Sequence, residues 1–200
     1  MLITGIKSRP VYDTLVPFPA GALHLVVGQG SGGRAMLRLL SEMPDSLART
    51  DILYSTESFS GVNLIADLEA SGAAAIRGFT SNAELVRGLH ELLQKARMGT
   101  RLYVAGSESF IGSVMQVASS FNMNADEVLR EHCGTFVRRV FCVHCNTFNE
   151  NVTMRVSQCM GCGIDLVVRD HYSRRLAAFM GVKADAEVPG ELPPVEMLDT

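Results

Sequence analysis

The chain has 200 residues, is 47% hydrophobic, and carries 18 basic and 21 acidic side chains for a formal net charge of -3. That length fits one domain, or one with a small appendage, and the mild acidity excludes a dedicated nucleic-acid binder, which carries a strong basic footprint. No apolar run approaches the roughly 18 residues that cross a bilayer, and Met1-Leu2-Ile3-Thr4-Gly5 shows no basic segment leading into an apolar stretch; no membrane span and no signal peptide are expected, and a cytoplasmic location is.

Charge divides the chain. Residues 1–132 hold 11 basic and 13 acidic side chains, residues 133–182 six and three, and residues 183–200 one and five. Three pieces are expected: an α/β domain over 1–134, a four-cysteine ribbon domain with a short helix over 135–182, and an acidic, proline-containing tail over 183–200.

Residues 1–22, with Pro10, Pro17 and Pro19, read as an irregular lead-in. Leu23–Val27 is a short apolar run ending at glycines and predicts a buried strand. Gly32–Ser41 predicts a helix, with Ala35, Met36, Leu39 and Leu40 on one face. Asp51–Ser55 predicts a strand, Leu64–Ala70 a helix and Ala73–Arg77 a weak strand. Ser81 with Glu84 three residues on predicts a capping box that opens a helix to about Arg97, near Gly99. Arg101–Ala105 predicts a strand, Phe110–Phe121 a helix and Val128–Glu131 a last short strand. Strands alternating with helices predict a doubly wound parallel sheet. Ligands of such sheets sit at the carboxyl ends of the strands, which directs attention to the loops Gly28–Gly33 and Gly106–Ser109.

From Phe141 the pattern changes. Cys142-Val143-His144-Cys145 and Cys159-Met160-Gly161-Cys162 are two C-x-x-C knuckles separated by thirteen residues. Four thiolates so spaced suit a tetrahedral metal ion, and paired cysteines in a reducing compartment read as ligands before disulfides. Cys142, Cys145, Cys159 and Cys162 are therefore the expected ligands of zinc, with a rubredoxin-like iron as the alternative. Four cysteines close the coordination shell, so catalysis at the metal is not expected. A module of about 40 residues also needs the metal for its folding energy. Each knuckle is followed by strand-like residues, Val152–Val156 and Ile164–Val168. Ser173 is expected to cap a helix over Arg174–Met180, ended by Gly181. Cys133 falls outside the ligand pattern and reads as a buried residue. Arg174 and Arg175, beside His171 and Tyr172, read equally as a contact for an acidic partner or a phosphate and as a solvated helix start. The tail holds Val188, Leu192, Val195, Met197 and Leu198 among its acids; it either stays solvated or orders only against a partner.

Gly28-Gln29-Gly30-Ser31-Gly32-Gly33 follows a strand and opens a helix. Such a loop can hold a phosphate on backbone N–H groups, or it can be a tight turn without a ligand. Residues 1–134 resemble the nicotinamide-binding module of ferredoxin reductase-like flavoenzymes. The likeness rests on Gly28–Leu37, on Ala105-Gly106-Ser107-Glu108-Ser109-Phe110 and on Glu131-His132-Cys133-Gly134. It implies Gly28, Gly30, Gly32 and Gly106 as nucleotide contacts, for NADP if any. Ala105 stands where that family has a cysteine beside the nicotinamide ring, Ser107 replaces a proline, Cys133 replaces an aromatic residue, and the flavin barrel is missing. Nucleotide binding remains open on this pattern, and hydride transfer is not expected.

The combination of this module, the two knuckles, Asp170-His171-Tyr172-Ser173-Arg174-Arg175-Leu176 and Phe179-Met180-Gly181 resembles the A-subunit family of bacterial dimethylamine monooxygenases. The resemblance implies an accessory, scaffolding subunit without haem. Its partners would be a haem-bearing subunit that performs oxidative N-demethylation and a flavin and iron–sulfur reductase fed by NADPH, with no nucleic acid and no membrane involved. The alternatives are a rubredoxin-like electron-transfer subunit and a degenerate nucleotide-binding reductase module.

Overall fold

The structure is a computed structural model and describes residues 8–194 and 196–198. Met1–Gly5 and Val195, named above, lie outside them. The chain forms two compact units, one of residues 12–135, the other of residues 136–198 together with the first described residues up to Val11.

The unit over 12–135 is built from β1 (Leu23–Gln29), α1 (Gly32–Glu42), β2 (Thr50–Ser55), α2 (Ile65–Glu69), β3 (Ala75–Phe79), α3 (Asn82–Leu93), β4 (Thr100–Gly106), α4 (Glu108–Ser120) and β5 (Val128–His132). Its five strands are all parallel, in the order β3-β2-β1-β4-β5. Helices cover both faces, so the central strands β1, β2 and β4 are buried nearly throughout instead of alternating. Leu25, Val27, Leu53, Leu102 and Val104 point into the core under α3 and α4. Their strand neighbours Val26, Ile52, Tyr54, Tyr103 and Ala105 point into the core under α1 and α2, as the two-residue period of a strand requires. The predicted doubly wound sheet is thus present.

A local signal sets the start of α3. Ser81 Oγ accepts from the Glu84 N–H at 3.2 Å, while the Glu84 carboxylate accepts from Thr80 Oγ1 at 3.2 Å. α3 ends at Leu93, short of the predicted Arg97, and the chain turns through Gly99 at φ +89°. The lead-in before β1 is irregular, and it is tied down at Leu15, whose N–H donates to Glu131 at 2.7 Å. Arg38 holds the same carboxylate at 2.6 Å.

The other unit is a five-stranded sheet in the order β7-β6-β10-β9-β8, where β6 is Arg138–Cys142, β7 Phe148–Val152, β8 Val156–Gln158, β9 Asp165–Ser173 and β10 Ala178–Lys183. Three expectations are corrected here. Residues 152–156 do not form one strand: the chain reverses between β7 and β8, with Asn151 at φ 55°. Arg174–Met180 is not a helix. Ser173 Oγ does accept from the Leu176 N–H, at 3.3 Å, but the turn it supports carries Ala177 at φ 48° and delivers β10 to the middle of the sheet. Seven residues are too few for a stable isolated helix, whereas β10 pairs on both sides, antiparallel to β9 and parallel to β6. Burial adds to this: Phe179 is fully buried, packs on Tyr172 at 5.2 Å, and lies under the Arg138 guanidinium at 4.1 Å. The tail, third, does not wait for a partner along its whole length. The Leu198 N–H donates to Thr153 O at 2.8 Å, the Arg155 N–H to Glu196 O at 2.7 Å, and Leu198 is buried in the ribbon core. Val188, Leu192 and Met197 remain exposed.

Candidate metal centre

The two knuckles are built alike, from backbone geometry upward. Cys142 ends β6, and its N–H donates to Thr147 O at 2.9 Å while Asn146 N–H returns to Cys142 O at 2.9 Å. Cys159 follows β8, and its N–H donates to Ile164 O at 2.9 Å while Gly163 N–H returns to Cys159 O at 2.9 Å. Each loop closes at its fourth residue after the first cysteine with a positive φ, 61° at Asn146 and 75° at Gly163. Asparagine and glycine are the residue types that adopt this region at low cost. Gly161 is required for a second reason: a Cβ there would collide with Thr147 Oγ1.

This backbone brings the four sulfurs together. All lie within 4.8 Å of one another, with Cys142 and Cys162 3.9 Å apart and Cys145 and Cys159 3.6 Å apart. A tetrahedral ion with metal–sulfur bonds of about 2.3 Å needs sulfur–sulfur edges of about 3.8 Å, so the four cysteines are positioned to bind a metal ion. Cys142 and Cys159 are buried, and Cys145 and Cys162 are half-buried.

Backbone amides point at every sulfur: those of Cys145 and His144 at Cys142, of Thr147 at Cys145, of Cys162 and Gly161 at Cys159, and of Ile164 at Cys162. Such donors favour thiolates over thiols. Burial works against the Cys159 thiolate, but the Cys162 and Gly161 amides and the neighbouring sulfurs outweigh it and bring its pKa down to about 6. At Cys162 the Ile164 amide lowers the pKa, but burial and the three other sulfurs prevail and push it to about 12. The four sites titrate as one group, and a divalent cation is what lets all four be anionic at once.

Asn149, buried on β7, was not legible as part of the site. Its Nδ2 donates to Val140 O at 3.2 Å and lies 3.7 Å from Cys159 Sγ, while its Oδ1 accepts from Met160 N–H at 2.8 Å. It thereby clamps the second knuckle to the strand pair carrying the first. An asparagine in a polar run such as Phe148-Asn149-Glu150-Asn151 gives no signal of this in the sequence.

The glycine loops lie away from the cysteines in sequence and belong to the other unit. Gly28 and Gly30 sit at the end of β1, Gly32 opens α1, and Gly106 ends β4. β1 and β4 are adjacent, so the loops meet at the point where strand order reverses. Gly30 takes φ +49°, and a Cβ on Gly33 would lie 3.0 Å from the Leu64 side chain. Cys133 is half-buried, and its pKa is pushed up to about 11 by burial and by Glu131, which leaves it a poor nucleophile. His132 packs against Tyr12 with ring centroids 5.8 Å apart and the rings tilted by 38°. Arg174 and Arg175 lie in the exposed turn between β9 and β10.

Comparison with known proteins yields matches over most of the chain. Residues 4–128 match the N-terminal domain, and residues 139–182 the C-terminal domain, of the family described as dimethylamine monooxygenase subunit DmmA-like. A protein of Ectopseudomonas mendocina (strain ymp), named heme-dependent oxidative N-demethylase delta subunit, is 34% identical over 182 residues, covering 91% of each chain. Among solved structures, an intact type IV self-sufficient cytochrome P450 monooxygenase aligns with 86% of this chain and 21% of its own, at 15% identity and a TM-score of 0.49. The flavohem-like FAD/NAD binding domain of nitric oxide dioxygenase from Vibrio cholerae O1 biovar El Tor aligns with 63% of this chain and 56% of its own, at 14% identity and a TM-score of 0.44. Among the described residues no helix is long and apolar enough to cross a membrane.

Proposed function

The chain belongs to the DmmA-like family of dimethylamine monooxygenase subunits, and from that premise we propose that it is an accessory, scaffolding subunit of an NADPH-dependent, haem-containing amine monooxygenase and carries no haem itself. The observation that carries this reading is the closed four-sulfur shell. All four positions of a tetrahedral ion are filled by Cys142, Cys145, Cys159 and Cys162, which leaves none for substrate or water. Zinc held there would supply folding energy and no chemistry. The cysteines hold it, the six amides offset its thiolate charge, and Asn149 fixes one knuckle against the other.

On this reading the partners are the haem-bearing subunit and the flavin and iron–sulfur reductase, and oxidative N-demethylation takes place on the haem subunit. Elemental analysis of the purified chain is expected to give about one zinc per chain. Visible absorption of a ferric four-thiolate centre would instead support the electron-carrier alternative, for which the half-buried Cys145 and Cys162 offer the shorter path to a partner. Co-expression with the two partner subunits is expected to yield a complex containing this chain. NADPH oxidation by the purified chain alone, with a dye as acceptor, would overturn the accessory role.

A further inference from the structure

We infer that the crevice between the ends of β1 and β4 is a closed structural joint latched by Gln29, and that it does not receive a dinucleotide. Open α/β sheets bind ligands where strand order reverses, at the carboxyl ends of the strands. A dinucleotide at that place needs room between the two loops and backbone N–H groups free to meet its pyrophosphate.

The room is taken. A Cβ on Gly32 would collide with Ala105 O, so the first turn of α1 rests directly on the end of β4. A Cβ on Gly28 would collide with the Met36 side chain, and one on Gly106 would lie 2.8 Å from the Phe110 ring and 3.2 Å from the Gln29 side chain. These glycines are explained by contact of the chain with itself.

Three backbone donors of the first loop are engaged as well. Gly30 N–H donates to Ser55 O at 3.0 Å, Gly33 N–H to Gly30 O at 3.0 Å, and Arg34 N–H to Ser31 O at 3.2 Å. At the start of α4 the Ser107 N–H and Oγ both donate to Gln29 Oε1, at 3.2 and 2.9 Å. The carboxamide oxygen of Gln29, itself buried, thus occupies the position on the helix terminus that a phosphate oxygen would take. The first turn of α4 also holds Glu108, only 3% exposed. An acidic side chain in the first turn already suits the positive end of the helix.

The test is a fluorescence titration of the full chain with NADPH, run in parallel on Gln29→Ala, with thermal melts of both proteins. Neither protein is expected to show saturable binding below about 1 mM, and Gln29→Ala is expected to melt roughly 3 °C lower because β1 and α4 lose their tie. Saturable binding by the wild type that Gln29→Ala changes about tenfold or more, in either direction, overturns the inference. An unchanged melting temperature in Gln29→Ala overturns the latch. Binding equal in the two proteins places the nucleotide outside the crevice and upholds the inference.

Discussion

Replacing Cys159 with serine removes one ligand and one member of the ribbon core together. The buried cluster around the four sulfurs is Val140, Cys142, Val152, Cys159, Leu166, Val168, Phe179 and Leu198, so two of its eight members are cysteines of the site. Val137, Val156, Val167, Ala177 and Ala178 are the further buried apolar side chains of this unit among the described residues, still a small core for a sheet of five strands. A structural zinc in such a site contributes on the order of 10–16 kcal/mol, as much as the whole net stability of a typical domain, about 5–15 kcal/mol. Cys159→Ser is therefore expected to unfold β6–β10. The sheet β1–β5 has its own two cores, which share no residue with the ribbon core, and is expected to keep its protection. Hydrogen exchange followed by mass spectrometry resolves the two outcomes peptide by peptide, and chelation of the wild type should reproduce the pattern. Full protection of β6–β10 in metal-free Cys159→Ser would refute the reasoning, because it would show that the apolar side chains suffice without the metal.

Asn149→Ala is expected to leave the ribbon folded at saturating zinc but to weaken metal affinity by roughly 10–100-fold, as losing an outer-shell clamp does; competition with a zinc-binding dye reads this directly. Stability should fall as pH drops below about 6.5, because burial lowers the pKa of His24, assisted by Arg49 and Arg101, and burial lowers that of His132. The sign follows from proton uptake: below the ordinary histidine pKa of about 6.5 the unfolded chain binds protons that the folded chain does not yet bind. Buried His24 has its Nδ1 3.0 Å from Tyr103 OH, and that hydroxyl also accepts from Phe18 N–H. His24→Gln, which can still pair with Tyr103, should make the pH slope of denaturant midpoints shallower; an unchanged slope would count against burial of a neutral His24. Ser81→Ala should cost about 1 kcal/mol in a denaturant melt, since it removes the cap on Glu84 N–H, and a change below a few tenths would show the cap to be idle.

The four-cysteine cluster could be read from the sequence because a knuckle is local: two cysteines three apart need only a tight turn to converge, and Asn146 and Gly163 supply its positive φ. The parallel sheet could also be read, since strands buried on both faces leave short apolar runs, such as Leu25–Val27 and Leu102–Ala105, between helical spacings. Residues 173–183 were different. Ser173 followed by spaced apolar residues satisfies a helix pattern locally, and only the two flanking strands β6 and β9, distant in sequence, decide that Phe179 is buried in a sheet. Residues 152–156 were misread for the same reason, because β-branched residues favour a strand without fixing where it turns. Gln29 and Asn149 were unreadable in a third way. Each is a single amide whose role depends on the partner that meets it, Ser107 in one case and the second knuckle in the other, and hydrogen bonds of that range leave no period or spacing in a sequence.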